Sequence, residues 1–196
     1  MNKHTLSVAI TFLFCTPISG GIPDGIYHKG WIDFNKNGKM DLYENPKAPL
    51  EDRVQDLLSQ MTLEEKTCQM ATLYGSGRVL KDALPQNNWK TEVWKDGRGN
   101  IDEEHNGLGA FKSEYSFPYA KHVNAKHTIQ RWFMEQTRLG IPVDFTNEGI
   151  RGLCHDRATM FPAQCGQGAT WNKKLIREIA KVTADEAKAL GYTNIY

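Results

Sequence analysis

Apolar residues recur at spacings of three and four in three parts of the chain, which predicts three amphipathic helices. The first predicted helix covers 51–61, the second runs from about 124 to 138, and the third from 172 to 190. The residues that follow the helical period are Val54, Leu57, Leu58 and Met61 in the first helix, Ile129, Trp132 and Phe133 in the second, and Leu175, Ile176, Ile179, Thr183, Ala187 and Leu190 in the third.

Capping residues mark where these helices begin and end. Thr62 stands three residues before Glu65, a capping box that predicts a further helix from 62 to about 71. The other predicted caps are Asn124 and Asn172 at the helix starts, and Gly140 and Gly191 at the ends.

Short apolar runs at 143–146 and 192–196 predict strands on either side of the third helix. Strand, helix and strand in this order are typical of a parallel α/β fold. The segment 75–121 is rich in Gly, Asn and Trp and has weak periodicity, so it is predicted to be irregular. Two parallel strands alone leave open edges and an uncovered face. We therefore expect 51–196 to be the first part of a larger α/β domain.

Charge and length exclude several classes of protein. With 24 basic and 23 acidic residues among 196, the net charge is +1, which argues against a nucleic-acid partner. The length is also below the ~250 residues typical of a complete (β/α)₈ barrel.

The first 21 residues have the pattern of a secretory signal peptide: basic Lys3, an apolar run over 6–15, and small residues at 19–21. That run is shorter than the ~20 residues that span a bilayer. We expect an exported protein, periplasmic or secreted. Cys15 allows the alternative of a lipid anchor, which bulky Phe14 disfavours. Cleavage would leave three cysteines, an odd number, and hence at least one free or intermolecularly bonded thiol.

The segment from Asp33 to Glu44 has the ligand spacing of an EF-hand calcium loop, although no helix is predicted before it. Gly38 falls where such a loop turns sharply. We therefore expect a structural calcium ion within an N-terminal extension over 22–50; the alternative is an Asn- and Gly-rich turn without metal. The predicted ligands are Asp33, Asn35, Asn37, Lys39 through its backbone carbonyl, Asp41 and Glu44.

Glu148 lies just past the carboxyl end of the predicted strand at 143–146. Parallel α/β folds bind ligands at the carboxyl ends of their strands, where a carboxylate can accept hydrogen bonds from a polyol. Gly149 and Gly152 would allow a close approach of the backbone. The alternative is that Glu148 pairs with Arg151 or caps a turn.

Several motifs in order resemble the N-terminal domain of family 3 glycoside hydrolases, over about 46–196. They are Met61-Thr-Leu-Glu-Glu-Lys66 with Gln69-Met70, Arg138-Leu-Gly-Ile-Pro142, Phe161-Pro162 with Gly168-Ala-Thr-Trp171, and Gly191-Tyr-Thr-Asn-Ile-Tyr196. The resemblance implies the N-terminal portion of a (β/α)₈ TIM-type barrel, truncated before the later strands.

The resemblance also implies a retaining, exo-acting hydrolysis of terminal β-D-glycosyl residues, of the β-glucosidase or β-xylosidase type. Such chemistry uses two carboxylates and water and no organic cofactor. In the family, the nucleophile and the acid/base group would lie beyond Tyr196, so no catalytic residue is assigned in this chain, which is expected to be inactive alone.

Two residues are implied to bind an oligosaccharide or an aryl or alkyl β-glycoside. Glu148 stands where the family has an acidic residue that binds hydroxyls of the terminal sugar, commonly Asp in glucosidases and often Glu in xylosidases. Arg151 stands where His is common.

A hypothesis from another class is a calcium-dependent carbohydrate-binding or scaffolding module that uses the 33–44 loop and the Trp-rich segment. A metalloenzyme is disfavoured, because the histidines form no HExxH-type motif. They are His105, His122, His127 and His155.

Overall fold

The computed structural model describes residues 25–91, 94–108 and 114–196. The predicted signal peptide and Cys15 lie outside the described residues. Within these ranges, no helix is both long and apolar enough to cross a membrane. A short antiparallel hairpin, β1 (Tyr27–His28) and β2 (Trp31–Ile32), precedes the main body, so no helix enters the calcium-like loop.

The main body is a four-stranded parallel sheet whose strands follow one another in chain order. The sheet is open, because the described strands do not close into a barrel. Its members are β3 (Thr72–Tyr74), β4 (Asn100–Asp102), β5 (Asp144–Asn147) and β6 (Asn194–Ile195). The predicted α/β class is therefore confirmed.

Six α-helices accompany the sheet in the described part of the chain. They are α1 (Leu50–Gln60), α2 (Leu63–Gln69), α3 (Ser76–Val79), α4 (Tyr119–Gln136), α5 (Gln164–Gly168) and α6 (Lys173–Ala189). The capping box of Thr62 and Glu65 is confirmed, and so is Asn172, whose side chain accepts hydrogen bonds from two backbone N–H groups of α6. Gly191 follows the last turn of α6 with a φ of +74°, as expected of a C-terminal glycine.

The predicted start of the second helix at Asn124 is wrong. The N–H groups of Lys121 and His122 both donate to the carbonyl of Pro118, so α4 begins earlier, at Tyr119. The helix also ends before Gly140. That glycine lies in the following loop, where a Cβ would stand 2.5 Å from the Phe34 carbonyl oxygen.

The predicted irregular segment 75–121 contains β4, α3 and the first turn of α4, and β3 precedes it. Both missed strands are only three residues long. Each buries a single large apolar side chain, Leu73 or Ile101, so neither produces a recognisable alternation.

The apolar face of the sheet packs against α4 and α6 and forms the core. Trp89 and Trp94, from the Trp-rich segment, are buried there. Their rings lie 5.1 Å apart, and Trp94 meets Phe133 of α4 edge to face at the same distance. These tryptophans therefore act as packing anchors and do not present a surface to sugars.

The opposite face of the sheet is polar. Asn100 and Asp102 of β4 lie beside Asp144 and Thr146 of β5 in register. The Thr146 hydroxyl donates to Asp102 at 2.7 Å, and the Tyr196 hydroxyl donates to the same carboxylate at 2.7 Å. Side chains on this face therefore satisfy one another across three neighbouring strands.

Candidate active site

The candidate site lies at the carboxyl edge of the parallel sheet. Tyr74 ends β3, Glu103 follows β4, Glu148 follows β5 and Tyr196 follows β6. The predicted position of Glu148, just past the carboxyl end of a strand, is confirmed. Four neighbouring strands thus bring polar side chains from distant parts of the sequence to one edge, where parallel folds bind ligands.

The backbone around Glu148 is fixed on both sides. Its N–H donates to the Asn147 side chain at 2.8 Å, and its carbonyl accepts from the Cys154 N–H at 2.8 Å. The following Gly149 has no room for a side chain, because a Cβ would stand 2.6 Å from Ile195. The half-buried carboxylate is therefore presented from a rigid strand end.

Glu148 and Arg151 line one cavity of about 420 Å³ together with Cys154 and His155. Arg151 is exposed. Across the described ranges, no ion pair joins Arg151 to Glu148. Gly152, the residue after Arg151, turns the chain with a φ of +93°, and a Cβ there would stand 2.2 Å from the Thr159 carbonyl oxygen. The chain's own backbone, not a ligand, thus requires this glycine.

Glu103 is a second carboxylate at the same edge, which the sequence did not predict. It is 6% exposed and accepts hydrogen bonds from Tyr74 Oη (2.5 Å), Arg78 Nη2 (2.6 Å) and Asn106 Nδ2 (2.7 Å). Its φ of +52° is rare for a residue with a side chain. In the sequence, the only sign of this position is an acidic residue after the short Asn-Ile-Asp run of β4, which is too short to be recognised as a strand.

Ligand atoms of Glu103, Glu148 and Cys154 all lie within 4.8 Å of one another. Burial, and then the two carboxylates, raise the pKa of the Cys154 thiol to about 11. The thiol is therefore protonated at neutral pH. The carboxylates offer acceptors for hydroxyl groups, and Glu103 already serves three protein donors.

The cysteines do not form a disulfide within the described part of the chain. Cys68, Cys154 and Cys165 are free thiols, the first two half-buried and the third exposed.

Three of the four histidines named above come together behind the site, which their sequence spacing did not indicate. The ring centroid of His122 lies 5.1 Å from that of His155 and 6.2 Å from that of His105. His122 Nε2 lies 3.1 Å from the carbonyl oxygen of Leu190. Among the described residues, these imidazoles do not form a group with three ligand atoms close enough for a metal.

Burial controls the ionisation of this cluster. It lowers the pKa of His105 and His155, and it lowers that of His122 to about 3. Burial also holds the pKa of Lys126 well below its usual value. The Lys126 amine has no hydrogen-bond partner among the described residues and lies 2.8 Å from the centroid of the Tyr192 ring.

In the predicted calcium loop, the carboxylates accept hydrogen bonds from backbone N–H groups of the loop itself. Asp33 accepts hydrogen bonds from the N–H groups of Asn37 (3.1 Å) and Gly38 (2.8 Å), and Gly38 has a φ of +78°. Glu44 accepts from the N–H groups of Asn35 (3.3 Å) and Asp41 (2.9 Å). The carboxylates of the first and the last predicted ligand thus hold the backbone of the loop in its folded shape.

The donor set of this loop fits a hard cation. Asp33 and Glu44 are both buried, and within the described residues neither forms an ion pair. Asn35 and Asn37 donate to the Asp41 carboxylate. The three carboxylates do not converge within 4.8 Å, so a cation would require some of these side chains to turn. The Lys36 amine donates to the Thr137 carbonyl at 2.5 Å, and Asp33 and Glu44 act on its charge from beyond ion-pair distance.

Residues 62–196 match the model of the Glycosyl hydrolase family 3 N terminal domain. The chain is 29% identical over 160 residues to beta-glucosidase C of Emericella nidulans, covering 78% of this chain and 24% of that protein. It is 25% identical over 174 residues to a periplasmic beta-glucosidase/beta-xylosidase of Dickeya chrysanthemi, covering 82% and 25%. The chain spans about a fifth to a quarter of the length of its relatives.

Solved structures share the fold. A b-glucosidase of Erythrobacter marinus superimposes with a TM-score of 0.59 at 20% identity, covering 81% of this chain and 19% of that one. An exo-1,3/1,4-beta-glucanase of a Pseudoalteromonas species gives 0.58 at 23% identity, covering 84% and 24%. The predicted TIM-type barrel portion is therefore confirmed, with the barrel not closed over the described residues.

Proposed function

The chain belongs to glycosyl hydrolase family 3, and on that premise we propose that the protein containing it hydrolyses terminal, non-reducing β-D-glycosyl residues. The reaction is of the β-glucosidase or β-xylosidase type, exo-acting and with retention of configuration. The substrate is an oligosaccharide or an aryl or alkyl β-glycoside.

One observation carries the assignment to this edge of the sheet: the Glu148 carboxylate is held rigidly after β5, beside a cavity. Ionised carboxylates accept hydrogen bonds from sugar hydroxyls, and such charge-assisted bonds are stronger than neutral ones. We propose that Glu148 binds the terminal sugar and that Arg151 lines the same site.

We propose that the nucleophile and the acid/base group lie outside this chain, so that the chain alone does not hydrolyse glycosides. Retention requires two carboxyl groups about 5–5.5 Å apart on either side of the scissile bond. Glu103 and Glu148 are close enough, but Glu103 is fixed by three protein donors and is largely inaccessible. It therefore cannot attack a sugar without losing these partners.

The test is an aryl β-glycoside panel assayed with the product of the complete reading frame and with the chain alone. We expect hydrolysis by the complete protein and none by the chain. Glu148→Gln keeps the size and removes the charge, and it should lower kcat/KM about 10- to 100-fold. Glu178→Gln, on the exposed side of α6, is the matched control and should leave kcat/KM unchanged. Full activity of Glu148→Gln would contradict the assigned role.

We further propose that the substrate is a pentoside or a less usual sugar, because Glu148 is one methylene longer than Asp and would reach into the space that a C6 hydroxymethyl group would need. Glu148→Asp shortens the side chain and keeps the charge. We expect the xyloside-to-glucoside ratio of kcat/KM to fall about 10-fold or more. An unchanged ratio would show that specificity is set elsewhere.

We also propose that the 33–44 loop binds a structural calcium ion. In the described part of the chain, neither buried carboxylate has a cation within ion-pair distance, and Lys36 acts on them only from farther away. This supports the proposal, because buried charges are normally paired or bound to metal. With a Kd of about 0.1–1 mM, about 10 mM calcium would stabilise the chain by ~1.4–2.7 kcal/mol.

Urea unfolding of the chain with calcium or magnesium tests this proposal. Calcium alone should raise the midpoint, and the combined variant Asp33→Asn, Glu44→Gln should abolish the difference. Equal midpoints in both salts would exclude the ion.

We further propose that the protein is exported, and N-terminal sequencing of the protein recovered from the periplasm or medium tests this. A carbohydrate-binding module without catalysis has less support, because Trp89 and Trp94 are buried and cannot stack on a sugar.

A further inference from the structure

Tyr74 is a large aromatic side chain at the same strand edge as Glu148, yet it is 46% exposed. It ends β3, the strand next to β4, whose end carries Glu103. The exposed ring surface therefore lies at the edge of the sheet where parallel α/β folds bind ligands.

The Tyr74 ring is held in place by two charged neighbours. Its hydroxyl donates to Glu103 at 2.5 Å, and that carboxylate lies within 4.8 Å of Glu148. The Arg78 guanidinium stacks over the ring with its central carbon 4.3 Å from the centroid, and it also pairs with Glu103. One side of the ring is therefore occupied by Arg78, the hydroxyl is fixed, and much of the remaining surface is exposed.

We propose that Tyr74 is a stacking platform for a pyranose ring of the substrate, and that Glu103 and Arg78 are positioning residues that fix its orientation. This inference rests on the proposed glycosidase function. Sugar rings carry apolar C–H faces, and binding sites commonly combine aromatic surface for these faces with a few polar groups for the hydroxyls. Tyr74 would supply the aromatic surface and Glu148 the hydroxyl acceptor.

A preorganised ring binds without having to be ordered first. The charge-assisted hydrogen bond and the stacked guanidinium prevent the ring from turning away when no sugar is present. Removing Glu103 should therefore weaken sugar binding indirectly, through a mobile Tyr74 ring, even though Glu103 itself is almost inaccessible.

Steady-state kinetics of the complete protein on aryl β-glycosides test the proposal. Tyr74→Leu should raise KM about 3- to 10-fold and change kcat much less, because stacking binds substrate and transition state alike. Tyr74→Phe keeps the ring but loses the hydrogen bond to Glu103, so the KM values of Tyr74→Phe and Glu103→Gln should both rise, but less than the KM of Tyr74→Leu. Tyr119→Leu is the matched control: Tyr119 is 47% exposed and donates to a backbone carbonyl, but it lies on α4 and not at a strand end.

The outcomes separate this inference from the proposed function. If the wild-type protein cleaves no β-glycoside, the proposed function fails and the platform fails with it. If the wild type is active and Glu148→Gln loses activity while Tyr74→Leu keeps its KM, only the platform is refuted. If Tyr74→Leu does not fold, Tyr74→Phe and Glu103→Gln decide: folded variants that both keep the wild-type KM would refute a platform whose orientation depends on this hydrogen bond.

Discussion

Lowering the pH from 7 to 5 should destabilise this chain, and His122 should be a principal cause. Its imidazole is fully buried between α4 and the segment that leads into β6. Burial, reinforced by Lys126 and the other two buried histidines, lowers its pKa to about 3. In the unfolded chain the same imidazole has its ordinary pKa of about 6.5.

The sign of the effect follows from these two values. Below pH 6.5 this imidazole becomes protonated in the unfolded chain, whereas in the folded chain it becomes protonated only near pH 3. The stability therefore falls as the pH falls. At pH 5 the difference contributes about 2 kcal/mol of lost stability from His122 alone, at ~1.4 kcal/mol per pH unit. His105 and His155 act in the same direction, since burial lowers the pKa of both.

The assay is urea unfolding at pH 7, 6 and 5, followed by tryptophan fluorescence. Wild type should lose about 2 kcal/mol or more between pH 7 and 5, while His122→Gln, which cannot bind the proton, should lose correspondingly less. His127→Gln changes an exposed histidine on the same helix and should keep the wild-type slope. Parallel pH dependence in wild type and His122→Gln would refute the reasoning.

Three further substitutions test the packing of the chain, each by urea unfolding at pH 7. Lys126→Met should stabilise the fold by about 1–3 kcal/mol, because the buried amine has no hydrogen-bond partner among the described residues; exposed Lys181→Met should have no comparable effect. Trp94→Ala should cost about 3–5 kcal/mol, because it empties a fully buried site in the aromatic core. Thr62→Ala should cost about 1 kcal/mol through loss of the capping box, and an unchanged midpoint would mean that the end of α2 is held by other contacts.

The elements that were predicted well carry their signal locally. Thr62 and Asn172 cap their helices through hydrogen bonds to residues two or three positions away, and the third helix follows its period over its whole length. β3 and β4 were missed because each is stabilised by its neighbours in the sheet, not by its own composition. Asn124 failed as a cap because Pro118, which has no polar side chain, starts the helix instead.

The same distinction applies to the site. Glu148 was found because it follows a strand that the sequence reveals. Glu103 follows a strand that it does not reveal, and the Tyr74–Arg78–Glu103 cluster joins residues up to 29 positions apart. The histidine cluster depends on contacts that are even farther apart in the sequence, since the hydrogen bond between His122 and Leu190 spans 68 positions. Such proximity depends on the fold and leaves no periodic trace in the chain.

The polar face of the sheet has a consequence for how the protein is made. Synthesis proceeds from the N-terminus, so these four strands leave the ribosome before any strand that completes a barrel. An apolar face left open at that stage would invite association with other nascent chains. Here the open face carries Asn100, Asp102, Asp144 and Thr146, which hydrogen-bond to one another. The polar character of this face therefore lowers the tendency of the open sheet to associate with other nascent chains through it.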